Sequence, residues 1–173
     1  VNLSDFDYPL PERLIAQHPP PERDAARMLV LDPSRETLTH STIRELPLFL
    51  NPGDLMVLND SRVLPARLRG TRPGGATAEV LLLRPAADGR DVWEALVRPS
   101  RRLPSGSEVS FSGTPLRVVV EDQGTSGIRR VRLLAPSDPL QEVRRIGEMP
   151  TPPYIKERLR EPERYQTVFA RRE

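Results

Sequence analysis

Between residues 62 and 135 the hydrophobic period of the chain is two. Arg62–Arg69, Thr77–Arg84, Val92–Arg98, Glu108–Phe111, Leu116–Glu121 and Ile128–Leu134 are short strand patterns, each bounded by Gly, Pro, Asp or Ser. Six short strands at roughly ten-residue spacing, with no helical pattern between them, predict a small barrel or sandwich. Gly70-x-x-x-Gly74-Gly75 lies inside this stretch. It lacks phosphate-loop spacing and no helix follows it, so it reads as a hairpin turn.

The flanks carry different signals. Leu10–Ala16 has Pro11 at a first turn and Leu10 and Leu14 four apart, a short helix pattern. Met28–Asp32 and Glu36–His40 predict a hairpin around Asp32-Pro33-Ser34. Thr42-Ile43-Arg44-Glu45 reads as a capping box, and Pro47 keeps the helix it opens short. Asp54–Leu58 is an apolar run that predicts a buried strand. Ser137-Asp138-Pro139-Leu140-Gln141 is a strong helix start, with Gly147 as its stop. The expected fold is α/β plus all-β, a partial α/β domain interrupted by a small β-barrel domain. Its expected parts are residues 1–61, the inserted barrel at 62–135, and a return to the α/β domain at 136–173.

Composition narrows the chemistry. The 173 residues include no Cys, which removes disulfides, thiolate metal sites and a Cys nucleophile. His18 and His40 are the only histidines, so no His-rich metal centre is expected. No run approaches the ~20 apolar residues of a membrane helix. Val1–Leu10 has neither a basic nor an apolar leader region, so no signal peptide is expected and a soluble cytoplasmic protein is. Charge is unevenly spread: net −5 over residues 1–61, +6 over 62–135 and +1 over 136–173. A basic middle in a nearly neutral chain suggests a local anionic partner.

The candidate residues follow from that pattern. In Arg62–Arg69, Leu64, Ala66 and Leu68 share one face and Arg67 and Arg69 the other. With Arg98, Arg101 and Arg102, this is either a solvated barrel face or a phosphate-contacting stripe. Arg129, Arg130 and Arg132 fall on both faces of their strand. Asn59-Asp60-Ser61-Arg62 follows the Asp54–Leu58 run, where α/β folds place ligands, although a plain turn gives the same string. The three prolines of Pro150–Pro153 fix an extended path, either a connector or a rigid mount for Tyr154. Tyr165 and Gln166 can recognise a base edge or simply pack.

Taken together, these strings resemble one family, the S-adenosylmethionine:tRNA ribosyltransferase-isomerases of queuosine biosynthesis. The carrying residues are Asp5-Phe6-Asp7-Tyr8, Leu14-Ile15-Ala16-Gln17, Pro21-x-Arg23-Asp24-x-x-Arg27, Pro52-Gly53-Asp54-Leu55-x-Val57-Leu58-Asn59-Asp60-Ser61-Arg62-Val63-x-Pro65-Ala66-Arg67-Leu68, Gly147-x-Met149-Pro150-x-Pro152-Pro153-Tyr154-Ile155 and Tyr165-Gln166-Thr167-Val168. The resemblance implies that the chain corresponds to the N-terminal half of such an enzyme and is inactive alone. It implies transfer and isomerisation of the ribosyl group of S-adenosylmethionine onto 7-aminomethyl-7-deazaguanine in a tRNA anticodon. The implied product is epoxyqueuosine, with adenine and methionine released. S-adenosylmethionine is then a consumed cosubstrate, and no cofactor or metal is expected. The implied partners are the tRNA anticodon stem-loop and S-adenosylmethionine, with no membrane, and the full-length protein is expected to be a monomer. Asp60 is the expected catalytic group near the ribose. Asn59, Ser61 and Tyr154 are expected to position substrate, Tyr165 and Gln166 to contact the base, and Arg62, Arg67, Arg98 and Arg101 to contact tRNA phosphates. The rival reading is a non-catalytic RNA-binding β-barrel module from a truncated or degenerate family member.

Overall fold

A computed structural model describes residues 1–87, 89–123, 127–157 and 159–171. The chain divides into two compact units, a hairpin unit (Val1–Asn59 with Pro152–Arg164) and a barrel unit (Asp60–Thr151 with Tyr165–Glu173).

The barrel unit is built on six strands, β3 (Arg67–Thr71), β4 (Thr77–Pro85), β5 (Val92–Arg98), β6 (Glu108–Ser110), β7 (Arg117–Gln123) and β8 (Ile128–Leu134). They close in the order β3-β4-β5-β8-β7-β6, and every neighbouring pair is antiparallel. Inward positions alternate along each strand. Leu68, Ala78, Val80, Leu82, Ala95, Val97, Val109, Val118, Val120, Val131 and Leu133 form one buried cluster. Short β-branched side chains suit so narrow an interior. The expected barrel is therefore present, and the expected bounds of β5 and β8 are those observed.

Closure is narrowest between β3 and β6, where a single residue pair, Thr71 opposite Ser110, spans the seam. The backbones approach there because Gly70 has no side chain. A Cβ at Gly70 would lie 2.3 Å from the Ser110 carbonyl oxygen and 2.6 Å from the Phe111 ring.

The one α-helix among the described residues is α1 (Pro139–Ile146). Asp138 caps it by accepting from the Leu140 amide, and Pro139 occupies the first turn. Val143 is fully buried in the barrel cluster, with Leu140 and Ile146 packed against it. Gly147 ends the helix for a reason different from the usual left-handed cap: its φ is −71°. A Cβ there would lie 1.8 Å from the Pro65 carbonyl oxygen, so close backbone packing selects glycine. Glu142 ties α1 down by accepting from the Thr114 hydroxyl (2.6 Å) and from Arg145.

The hairpin unit contains β1 (Arg27–Asp32) paired antiparallel with β2 (Thr37–Thr42). A 3₁₀ segment, Ile43–Phe49, follows, opened by the expected Thr42/Glu45 capping box and carrying Pro47. Two sequence expectations fail here. Asp54–Leu58 forms no strand, and its residues are exposed. An apolar run becomes a strand only where another strand pairs with it. The Leu10–Ala16 helix reduces to one 3₁₀ turn, Glu12–Leu14, because three residues after Pro11 do not repay helix nucleation. An α/β layer around the hairpin is therefore not established. No described helix is long and apolar enough to cross a membrane.

Three outcomes are expected. Gly70→Ala should destabilise the barrel by at least ~2 kcal/mol in urea unfolding. Gly106→Ala meets no atom within 4 Å and pays only for its φ of +82°, about 1 kcal/mol. The Thr114 hydroxyl, and then Arg145, hold the Glu142 carboxyl below its ordinary 4.5. That stabilisation is present above the ordinary value and disappears as pH falls through the lowered one. The stability gap between wild type and Glu142→Gln should accordingly shrink in acid, as measured by melting temperature against pH.

Candidate functional site

Two places in the barrel unit hold the candidate residues of the sequence. The first lies where the chain enters the barrel unit and where it later returns to it. Residues 60–63 and 166–171 run side by side in opposite directions. The Arg171 amide donates to the Asp60 carbonyl (2.7 Å), and the Val63 amide donates to Gln166 Oε1 (2.7 Å). Gln166 Nε2 returns a bond to the Val63 carbonyl (2.9 Å). Gln166 is only 4% exposed, so its amide replaces the ladder bonds a further strand residue would have made. Tyr165, half-buried beside it, donates its hydroxyl to the Pro150 carbonyl (3.3 Å). Arg67 and Glu148 exchange backbone bonds (3.1 and 2.9 Å). The Arg67 guanidinium donates to the Thr151 carbonyl (2.9 Å), and Arg69 pairs with Glu148 (3.0 Å) and faces Glu79 (3.9 Å).

This arrangement brings Asp60, Ser61, Arg62, Tyr165 and Gln166 onto adjoining segments. Asp60 is half-buried, while Ser61 and Arg62 are exposed. Asn59, Asp60, Ser61 and Arg62 all have interaction partners. Gln166 and Arg67 spend hydrogen-bonding groups on the backbone, so both anchor the chain. Asn59 and Tyr154 belong to the hairpin unit. Tyr154 is exposed there, and its carbonyl accepts from Gln17 Nε2 (3.0 Å).

The second place is the turn after β5. Arg98 ends the strand, and a 3₁₀ turn, Ser100–Arg102, exposes Arg101 and Arg102. Arg129, one of three arginines that fall on both faces of β8, supports this turn from within. It shares the inward parity of Val131 and Leu133 on β8 and is 8% exposed. Its Nη2 donates to the Ser100 carbonyl (3.3 Å) and hydroxyl (3.1 Å), while its Nε and Nη1 are buried without partners. The alternation of the strand puts Arg129 on the face opposite Arg130 and Arg132, but the residues alone do not say which of the two faces is buried.

Gln166→Leu should cost about 2–4 kcal/mol, because it strands both backbone groups of Val63. Arg129→Met should be neutral or stabilising, since it removes a buried charge that is half satisfied. Thermal unfolding of both variants distinguishes a clamp from a strained support.

The chain has clear relatives. It is 43% identical over 173 residues to the S-adenosylmethionine:tRNA ribosyltransferase-isomerase of Halothermothrix orenii, covering 99% of this chain and 50% of that protein. It is 45% identical over 175 residues to the Moorella thermoacetica protein of the same name, covering 100% and 51%. A crystal structure of S-adenosylmethionine tRNA ribosyltransferase from Thermotoga maritima aligns with 36% identity and a TM-score of 0.39, over 83% of this chain and 48% of that one. The chain thus spans about half the length of the curated relatives it matches. Residues 3–173 match the family of queuosine biosynthesis proteins, and the chain belongs to that family.

Proposed function

We propose that this chain supplies the barrel and part of the substrate site of an S-adenosylmethionine:tRNA ribosyltransferase-isomerase. The reaction moves the ribosyl group of S-adenosylmethionine onto 7-aminomethyl-7-deazaguanine in the tRNA anticodon and rearranges it to epoxyqueuosine, releasing adenine and methionine. One observation supports this reading above others: identity to proteins of that name runs through the whole chain, hairpin unit and barrel unit alike. A tRNA-modifying role places the protein in the cytoplasm.

The chemistry assigns work to particular residues of this chain. A sulfonium acidifies the adjacent ribose C5′ hydrogens, and a positioned base removes one. Asp60, half-buried at the barrel entrance, is our candidate for the polar group at the ribose. Asn59, Ser61 and Tyr154 are candidates for orienting the cosubstrate. Tyr165 is the candidate base contact, and Gln166 holds the segment that carries it. The +6 middle of the chain meets tRNA phosphates, with exposed Arg98 and Arg101 on the turn braced by Arg129 and Arg62 at the barrel entrance. Arg67, tied to Thr151, shapes this surface rather than reaching from it. The second reading, a non-catalytic RNA-binding barrel, draws on the confinement of every buried apolar side chain among the described residues to the barrel unit.

Two measurements test the proposal. Affinity for an anticodon stem-loop should fall with salt, and Arg98→Ala and Arg101→Ala should each flatten log K against log salt by about 0.7. An unchanged slope returns both residues to a solvated face. The 173-residue chain joined to the remaining half of the Moorella relative should release adenine from S-adenosylmethionine in the presence of modified stem-loop. In that protein Asp60→Asn should slow release about a hundredfold, a barrier rise of ~3 kcal/mol. Stem-loop binding without adenine release favours the binding module.

A further inference from the structure

Most arginines on the barrel strands meet carboxylates. Arg69 pairs with Glu148 (3.0 Å), Arg84 with Glu94 (2.8 Å), Arg117 with Glu108 (3.3 Å), and Arg130 and Arg132 with Glu121. A guanidinium beside a carboxylate offers an anion little net field. The turn after β5 is different. Arg101 and Arg102 are exposed, and among the described residues neither meets a carboxylate. Their backbone is fixed on both sides. Leu103, which follows them, is fully buried in the barrel cluster. Ser100, which precedes them, accepts from the Arg129 guanidinium at its carbonyl (3.3 Å) and its hydroxyl (3.1 Å). Within the turn the Arg102 amide donates to the Pro99 carbonyl (3.1 Å) and the Leu103 amide to the Ser100 carbonyl (3.4 Å).

Arg129 does little for the core it occupies. It is 8% exposed, and its Nε and Nη1 are buried without partners. A buried charge so incompletely satisfied opposes folding, and an apolar side chain of similar volume serves a barrel interior better. Its contribution is to the turn. A loop ordered before it meets its ligand loses less freedom on binding, so a fixed Ser100 raises the affinity of the arginines that follow it. We propose that Arg129 is a positioning residue for RNA binding: by holding Ser100 it sets Arg101 and Arg102 as paired phosphate donors, and it raises affinity at the expense of barrel stability. The proposal rests on the reading that this turn meets tRNA phosphates. It adds to that reading a residue that acts on RNA without touching it.

Binding of an unmodified tRNA anticodon stem-loop to the 173-residue chain, measured across salt together with thermal melting, tests this. Arg129→Met should melt no lower than wild type yet bind about fivefold more weakly at 0.1 M salt, the worth of one phosphate contact. Amide exchange at Arg102 and Leu103 should quicken about tenfold while the β5–β8 ladder keeps its protection. Arg129→Lys, which keeps the charge and a donor for Ser100, should recover most of the affinity. Ser100→Ala removes one of the two acceptors without touching the core, and should fall between wild type and Arg129→Met. In a chain already carrying Arg101→Ala and Arg102→Ala, Arg129→Met should change affinity by less than about twofold, because its effect passes through those two side chains. Wild-type affinity in both Arg129→Met and Ser100→Ala, with weakened binding in the chain lacking Arg101 and Arg102, would overturn the positioning role and leave the phosphate reading intact. An undiminished effect of Arg129→Met in the chain lacking both arginines would overturn it as well. Unchanged binding when Arg101 and Arg102 are removed would take away the phosphate reading itself, and the proposal with it.

Discussion

Closure of the six-stranded barrel across one residue pair is the constraint on which the rest of this structure depends. The seam between Thr71 and Ser110 joins two strands whose backbones meet only because Gly70 is bare. Without that contact β3 and β6 would be open edges, and the valine-rich interior would face water from one side. With it, the alternation of each strand acquires an inside and an outside. Leu68, Val80, Val118 and Val131 then have a common place to go, and α1 can add Val143 at its end. The basic side chains fall on the remaining positions largely because the apolar ones have taken the interior.

Arg129 is the exception. It takes an inward position and leaves two donors unpaired in order to hold Ser100 with the third nitrogen. A guanidinium in that situation opposes folding locally, which natural proteins tolerate where the element it braces has a use. The braced element carries Arg98, Arg101 and Arg102 on its exposed side. Support from within and charge without is a sound way to present cations at a fixed spacing, since a turn of exposed arginines has no packing of its own to order it.

How much of this was readable in the residues depended on whether the cue was local. The spans Val92–Arg98 and Ile128–Leu134 follow from period two and their flanking breakers. The Asp138-Pro139 helix start and the Thr42/Glu45 box follow from side chains bonding their own backbone within a turn. Asp54–Leu58 misleads because strand formation needs a partner, and a run of apolar residues does not say whether one is present. Gly147 gives the right boundary for the wrong cause: the sequence signal is the absence of a side chain, and only the nearness of Pro65 shows why it is needed. At the candidate site, the strings around Asp60 and Gln166 were legible as strings. The pairing of Gln166 with Val63 joins residues a hundred positions apart, and nothing short-range encodes it.

That pairing carries one more implication. The Arg67–Glu148 bridge brings together the start and the finish of the Asp60–Thr151 segment, and the Val63–Gln166 exchange and the Asp60–Arg171 bond fasten the returning 165–171 segment to its start. A module whose two ends emerge side by side can be spliced into a host loop without stretching the host. The arrangement makes the barrel a cassette with a strap: carried into another scaffold, residues 60–151 would need the 165–171 segment beside them, because that returning segment is stitched to the neck.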